Sequence, residues 1–275
     1  MSSCPEPPDV PPTAAAPEFD KAGSLPVGAN LARAIERGFV IHREDGRLSL
    51  RRGPAFDDEV KRSGGYIGKR GATRLACDFL NRFMFEQVYA RAAVPFGCRN
   101  CFKIRIATRS LRALMAAKAI AEATPHATKS GPEADNPHNA CLYATWLYFD
   151  GLDAARQAYQ ALRPLLDAHE HLGPDVGMII KRGCSNYERA LGPSDRYEID
   201  PRLEAVEAHF AALYDNVRPR SAMPKEMVHK LRMLDLVALA FRIGDETYKD
   251  FAPGPPYPSP VNYTPPAQAP VKPSA

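Results

Sequence analysis

Four cysteines carry the residue types and the spacing that could do chemistry in this chain: Cys98, Cys101, Cys141 and Cys184. Thiolates bind zinc tetrahedrally and also hold iron–sulfur clusters, so the Cys98-Arg-Asn-Cys101 pair with two remote cysteines has the ligand count for either. A structural zinc site commonly joins two close pairs. Here the second half is two isolated residues from separate segments, which favours a [4Fe–4S] cluster over zinc, because a cluster is larger than one ion and accepts ligands from distant parts of a chain. The CxxxCxxC spacing of radical-generating clusters is absent. A third reading is thiol redox exchange at the CxxC. Thioredoxin-like proteins place that motif at the start of a helix, whose dipole stabilises the thiolate, whereas Cys98 and Cys101 precede a predicted strand. The alternative to all three is that the cysteines are unrelated.

Periodicity supplies the elements that would position these residues. Phe102 to Ala107 alternates apolar and basic residues, the period of a strand with one buried face. Ser110 caps a predicted helix reaching about Ala123, with Leu111, Leu114 and Met115 on one side and Pro125 stopping it. His126 to Ser130 reads as a second strand, and Leu142 to Phe149, rich in aromatic residues, as a third. Leu152 to His169 repeats apolar residues at helical spacing, with Pro164 expected to kink or split it. Val176 to Lys181 is the fourth strand. This βαββαβ order predicts an α+β, ferredoxin-like core with strand order 4-1-3-2. With strands one and three taken as parallel neighbours and strand four antiparallel to strand one, all four cysteines are expected on one edge of the sheet. The label describes strand order and imports no ferredoxin function.

The expected organisation is a proline-rich tail (1–25), an N-terminal helix and hairpin extension (26–97), the metal-binding core (98–192), a C-terminal helical extension (193–251) and a second tail (252–275). The tails hold 15 of the 27 prolines and too little apolar sequence to offset their ordering entropy. Between them, 34 basic and 28 acidic residues give a net +6, mildly basic and not diagnostic of nucleic-acid binding. Lys103, Arg105 and Lys181 would share one sheet face, as in RNA-binding sheets, but the aromatic RNP pattern is missing. Arg99, Lys103, Lys181 and Arg182 flank the cysteines, where they would offset a negative metal–thiolate centre or steer an acidic partner.

The N-terminus shows no basic region followed by an apolar stretch, and the longest apolar run, Leu236 to Phe241 with its near neighbours, is far shorter than the roughly 20 residues of a membrane span. A cytoplasmic location without membrane contact is therefore expected. In a reducing compartment, clustered cysteines point to metal or redox chemistry rather than disulfides.

Elsewhere, Asn30 to Gly38 reads as a helix and Phe39 to Arg51 as a hairpin around Asp45-Gly46. The basic glycine loop KRSGGYIGKRGATR lacks the Walker spacing of a phosphate loop. The helix Ala72 to Arg91 carries a core stripe, with Cys77 read inside it as a small hydrophobe and Cys4 as a free tail thiol, both dispensable for metal. The loop Gly131 to Ala140 is a candidate lid, and its His138 a candidate alternative ligand or proton donor; His126, His169 and His171 are read as turn residues. No Ser-His-Asp spacing or carboxylate pair assigns catalysis. Pro201 to Tyr214 and Pro224 to Asp250 are strong helix patterns. The expected function is a [4Fe–4S] protein that transfers electrons or assists a metalloenzyme or cofactor-assembly partner. The alternative is a zinc-stabilised nucleic-acid-binding module.

Overall fold

The computed structural model describes residues 20–37, 39–44, 47–52, 66–68, 77–133, 141–213 and 224–252. The chain runs α1 (Val27–Glu36), β1 (Phe39–Glu44), β2 (Arg47–Arg52), α2 (Asp78–Val88), β3 (Cys101–Thr108), α3 (Leu111–Glu122), β4 (Ala127–Pro132), β5 (Tyr143–Asp150), α4 (Leu152–Asp167), β6 (Gly177–Arg182), α5 (Ser185–Leu191), α6 (Leu203–Leu213) and α7 (Lys225–Arg242). The fold class is α+β. β1 and β2 form a separate antiparallel hairpin, and the other four strands form one sheet in the order β4-β5-β3-β6. Residues 1–19 with Cys4, residues 253–275, most of the glycine loop and residues 134–140 with His138 lie outside the described residues, while 20–25, expected as part of the tail, are described, with Ala22 buried.

Every pairing in that sheet is antiparallel, including β3 with β5. This corrects the expected parallel relation of the two central strands. β5 follows β4 without a crossover helix and so pairs antiparallel to it, and β3, joined to β4 through the α3 crossover and so parallel to it, is therefore antiparallel to β5 as well. Cys101 is therefore opposite Asp150 at the far end of β5, and Thr108 is opposite Tyr143 at its start.

Alternation along β3 divides the sheet into two unlike faces. Ile104 and Ile106, with Leu147, Phe149 and Met178 from the neighbouring strands, pack against Ala117 and Ala121 of α3 and Ala155, Leu162 and Leu166 of α4. A one-residue slip would turn this core face to the other side, so the apolar stripe fixes the register. Ser110 caps α3 as expected, its hydroxyl accepting from the Ala113 N–H at 3.2 Å.

α4 runs unbroken through Pro164. The proline removes one i→i−4 bond in the last turn only, and the Ala168 N–H still reaches the Pro164 carbonyl at 3.1 Å. α7 ends at Arg242 rather than continuing to Asp250, because Gly244 takes a left-handed φ of 76° that terminates the helix. The chain then turns back, and Asp245 accepts from the Leu111 N–H at 2.6 Å and from the Tyr143 hydroxyl at 3.1 Å, fastening the C-terminal helix to α3 and β5. α7 packs Leu236, Val237 and Ala240 there, beside α3, rather than over the open sheet face.

A second core lies at the end of the sheet where β3 begins. Leu31 of α1, Phe83, Met84 and Phe85 of α2, and Val206 and Phe210 of α6 enclose Cys98, Cys101 and Tyr187. α2 is wound with i→i+5 bonds, as the Tyr89 N–H donating to the Met84 carbonyl at 2.8 Å shows. Among the described residues no helix is long and apolar enough to cross a membrane.

Candidate functional site

Three of the four cysteines singled out from the sequence converge. Cys98 ends a single 3₁₀ turn, Phe96–Cys98, and its Sγ lies 3.3 Å from the Tyr187 hydroxyl of α5. Cys101 opens β3, and its carbonyl accepts from the Gly183 N–H at 2.8 Å, which places the turn carrying Cys184 directly alongside. Two residues along β3, on the same face, Lys103 donates from Nζ to Cys184 Sγ at 3.2 Å. Cys141 is not part of this group. It precedes β5 at the opposite end of the sheet, separated along β3 by about 23 Å at roughly 3.3 Å per residue.

Cys77 takes its place. It sits immediately before α2, one turn from Asn81, whose side chain hydrogen-bonds Cys184 and lies 3.4 Å from Asn186. Its thiol is close enough to act electrostatically on Cys98 and Cys101. From the sequence alone it reads as a small hydrophobe within the helix. The available signal was its position four residues before Asn81, and only tertiary packing shows what that face meets.

Electrostatics sort the thiols. Burial holds Cys98 well above its ordinary value and pushes Cys101 to about 12, with neighbouring thiols adding to both. Both thiols are thus held towards the neutral form. Burial alone would also raise Cys184, but the Lys103 ammonium beside it, assisted by Lys129 and Asn81, brings it below its ordinary value. Burial pulls Lys103 down, and its neighbours, Cys184 first among them, more than restore it, so charge is favoured on both members of this buried pair.

The same sheet face continues away from the thiols as a polar and aromatic surface. Strand register puts Ala127, Tyr148, Lys103 and Lys181 in one row, then Lys129, Trp146, Arg105 and Ile179, then Gly131, Ala144, Ala107 and Gly177. Lys103, Arg105 and Lys181 do share this face, as expected. The sequence reading missed Trp146, Tyr148 and Lys129, which interleave with them. Lys181 pairs with Glu188 of α5. Glu133, just after β4, accepts from the Trp146 indole N–H and the Tyr66 hydroxyl, each at 2.9 Å. Of the histidines, His126 lies against the Phe149 ring and His169 neighbours His171 in the turn after α4.

No family model matches this chain, and neither a curated protein nor a solved structure is detectably similar to it. The molecule is thus defined by its class alone, an α+β protein with a thiol-rich sheet edge.

Proposed function

We propose that the protein is a thiolate metal centre of the iron–sulfur type, built on a ferredoxin-like βαββαβ core, with Cys77, Cys98, Cys101 and Cys184 as the ligands. One observation carries this reading: cysteines from three chain segments, the Cys98–Cys101 pair, Cys184 and Cys77, act electrostatically on one another at one buried edge of the sheet, with Lys103 donating to Cys184. The donor set suits a cluster better than one zinc ion. Tetrahedral zinc with bonds of about 2.3 Å needs sulfurs about 3.8 Å apart, and structural zinc sites commonly draw them from two close pairs, whereas only Cys98 and Cys101 form such a pair here. A cluster spreads its thiolates wider. Lys103, donating to Cys184, would offset the negative charge of the bound centre and tune it, as hydrogen bonds to ligand sulfur do. Such a group supplies one-electron transfer. A role in electron transfer or in assisting a metalloenzyme or cofactor-assembly partner follows from that chemistry.

The experiment is anaerobic reconstitution with iron and sulfide, read by bound iron, acid-labile sulfide and visible absorption. Wild type and Cys141→Ser should retain the cluster, while Cys77→Ser, Cys98→Ser, Cys101→Ser and Cys184→Ser should each lose most of it. A Cys77→Ser protein with full iron, or a Cys141→Ser protein without it, overturns this ligand set. Colourless protein with one equivalent of zinc selects the zinc-stabilised module instead.

A further inference from the structure

α7 is apolar on two sides of its axis. Leu236, Val237 and Ala240 are buried beside α3 in the protein's own core. Met227, Leu231, Leu234 and Phe241 are 47%, 43%, 62% and 38% exposed. At 3.6 residues per turn the mean directions of the two sets are roughly 130° apart. Elsewhere, exposed large apolar residues such as Ile35 on α1 and Leu165 on α4 stand singly on their elements, as is ordinary for a protein surface. α7 strings several along one line.

The spacing of that line is specific. The steps from Met227 to Leu231, Leu234, Ala238 and Phe241 are four, three, four and three residues. This is the heptad repeat of a coiled-coil seam, with Leu231 and Ala238 at the a positions and Met227, Leu234 and Phe241 at d. A helix that only covers its own core carries its apolar residues on the side facing that core. Here the core side is already filled by other residues, so the seam faces outward.

The flanks of the seam carry charges of opposite sign. Lys230 falls at a g position and Asp235 at the following e, and both are exposed. Five residues apart, they lie on opposite flanks of the seam and are not neighbours on one helix. In a parallel pair of α7 helices, g of one helix meets the following e of the other, so Lys230 of each copy faces Asp235 of the other and the contact forms twice. An antiparallel pair with the seams in register matches e with e and would set Asp235 against its own copy.

We propose that this face of α7 is a docking surface for a second copy of the chain, giving a parallel two-fold dimer through the Met227, Leu231, Leu234, Ala238 and Phe241 seam. Two-fold symmetry needs a single self-complementary patch, which the reciprocal Lys230 and Asp235 contacts supply. The seam is about 21 Å long at 1.5 Å per residue, short of a standard interface. The dimer is therefore reversible and concentration-dependent. α7 packs at the end of the sheet away from the thiols, so association leaves that edge open and does not rest on a metal there.

Sedimentation velocity of the full-length protein, from low micromolar to near-millimolar concentration, should show the 30.2 kDa chain passing reversibly to twice its mass. Leu234→Glu should keep it monomeric across that range. Leu165→Glu, a similarly exposed change on α4, should leave the dimer unaltered, and both variants should keep the wild-type far-UV spectrum. Lys230→Asp should weaken association at least tenfold. Adding Asp235→Lys should restore it to within a few-fold of wild type, because the exchanged charges meet again across a parallel pair. Three results would overturn the proposal: a chain monomeric throughout, whether its seam is bare or taken by another protein or another part of the chain; a dimer that survives Leu234→Glu; or a double variant that associates no more tightly than Lys230→Asp alone.

Discussion

Two buried lysines on one sheet face show how a single neighbour decides the state of a charge. Lys103 and Lys129 both lose hydration, yet Lys103 lies 3.2 Å from the Cys184 sulfur and is raised, while Lys129 faces aromatic rings, with Glu133 and the thiols acting from farther off, and is lowered. The groups acting on Lys129 are Lys103 from β3, Glu133 beyond β4, and the thiols of Cys184 and Cys77. For Lys129 the unfolded chain holds its proton up to the ordinary 10.5 and the folded chain only up to about 8. The unfolded state therefore binds more protons between those values, and the stability contributed by this residue rises with pH across that window. At pH 7 the protonated amine is a liability of up to about 3 kcal/mol. Lys129→Met should accordingly stabilise the protein at pH 7, with the advantage shrinking from pH 8 towards 10.5. Denaturant titrations of both proteins across that range would check this, and a gain that stays constant would refute the lowered amine.

The thiol edge depends on an element that carries no ligand of its own. Glu207, 6% exposed on α6, accepts from the Phe96 and Gly97 N–H groups at 2.6 and 2.8 Å and from the Tyr89 hydroxyl at 3.0 Å. It thereby fixes the 3₁₀ turn that delivers Cys98 and ties it to the end of α2. Burial raises this carboxyl, and the three donors pull against that rise. Removing the acceptor strands two N–H groups and a hydroxyl, each costing about 1–3 kcal/mol when left unsatisfied. Glu207→Ala should therefore destabilise the protein by about 2–4 kcal/mol in urea and speed amide exchange at Phe96 and Gly97 beyond the change at Leu147. Uniform acceleration at all three amides would mean that Glu207 supports global stability without a specific hold on the turn.

At the scale of the whole molecule the two ends of the sheet differ. One end carries the thiols, with exposed Arg99 stacked 4.1 Å from Phe96 and Arg182 donating to the Arg99 carbonyl at 3.3 Å; the other is closed by α7 and the Asp245 latch. A reduced centre at the thiol end would meet its partner across this arginine rim. For an anionic oxidant such as ferricyanide, Arg99→Glu with Arg182→Glu should slow electron exchange strongly at low salt and weakly at high salt, since exposed charges are screened over about 10 Å at 0.1 M. A rate with the same salt dependence in wild type and double variant would place the exit elsewhere.

Local periodicity determined the strands, the capped α3, the hairpin and the α+β class, because each depends on residues a few positions apart. The Phe102, Ile104, Ile106 alternation and the Ser110 cap needed no tertiary information to be legible. Gly244 was also readable as a helix stop within a pattern that looked continuous. The relative direction of β3 and β5 was not local: it follows from how crossovers pass over the sheet, and it decided that Cys141 lies at the opposite end from Cys101. Cys77 carried the reverse lesson, since a cysteine in an apolar stripe is indistinguishable from core until packing brings Asn81 and Cys184 to the same helix face. The Lys129, Trp146, Arg105 row joins residues 17 and 41 positions apart in sequence, and only register across three strands makes them neighbours. Sequence therefore specified which residues had chemistry to offer, and the tertiary structure decided which of them meet, because charge and ligation act through space over a few ångströms and carry no memory of separation along the chain.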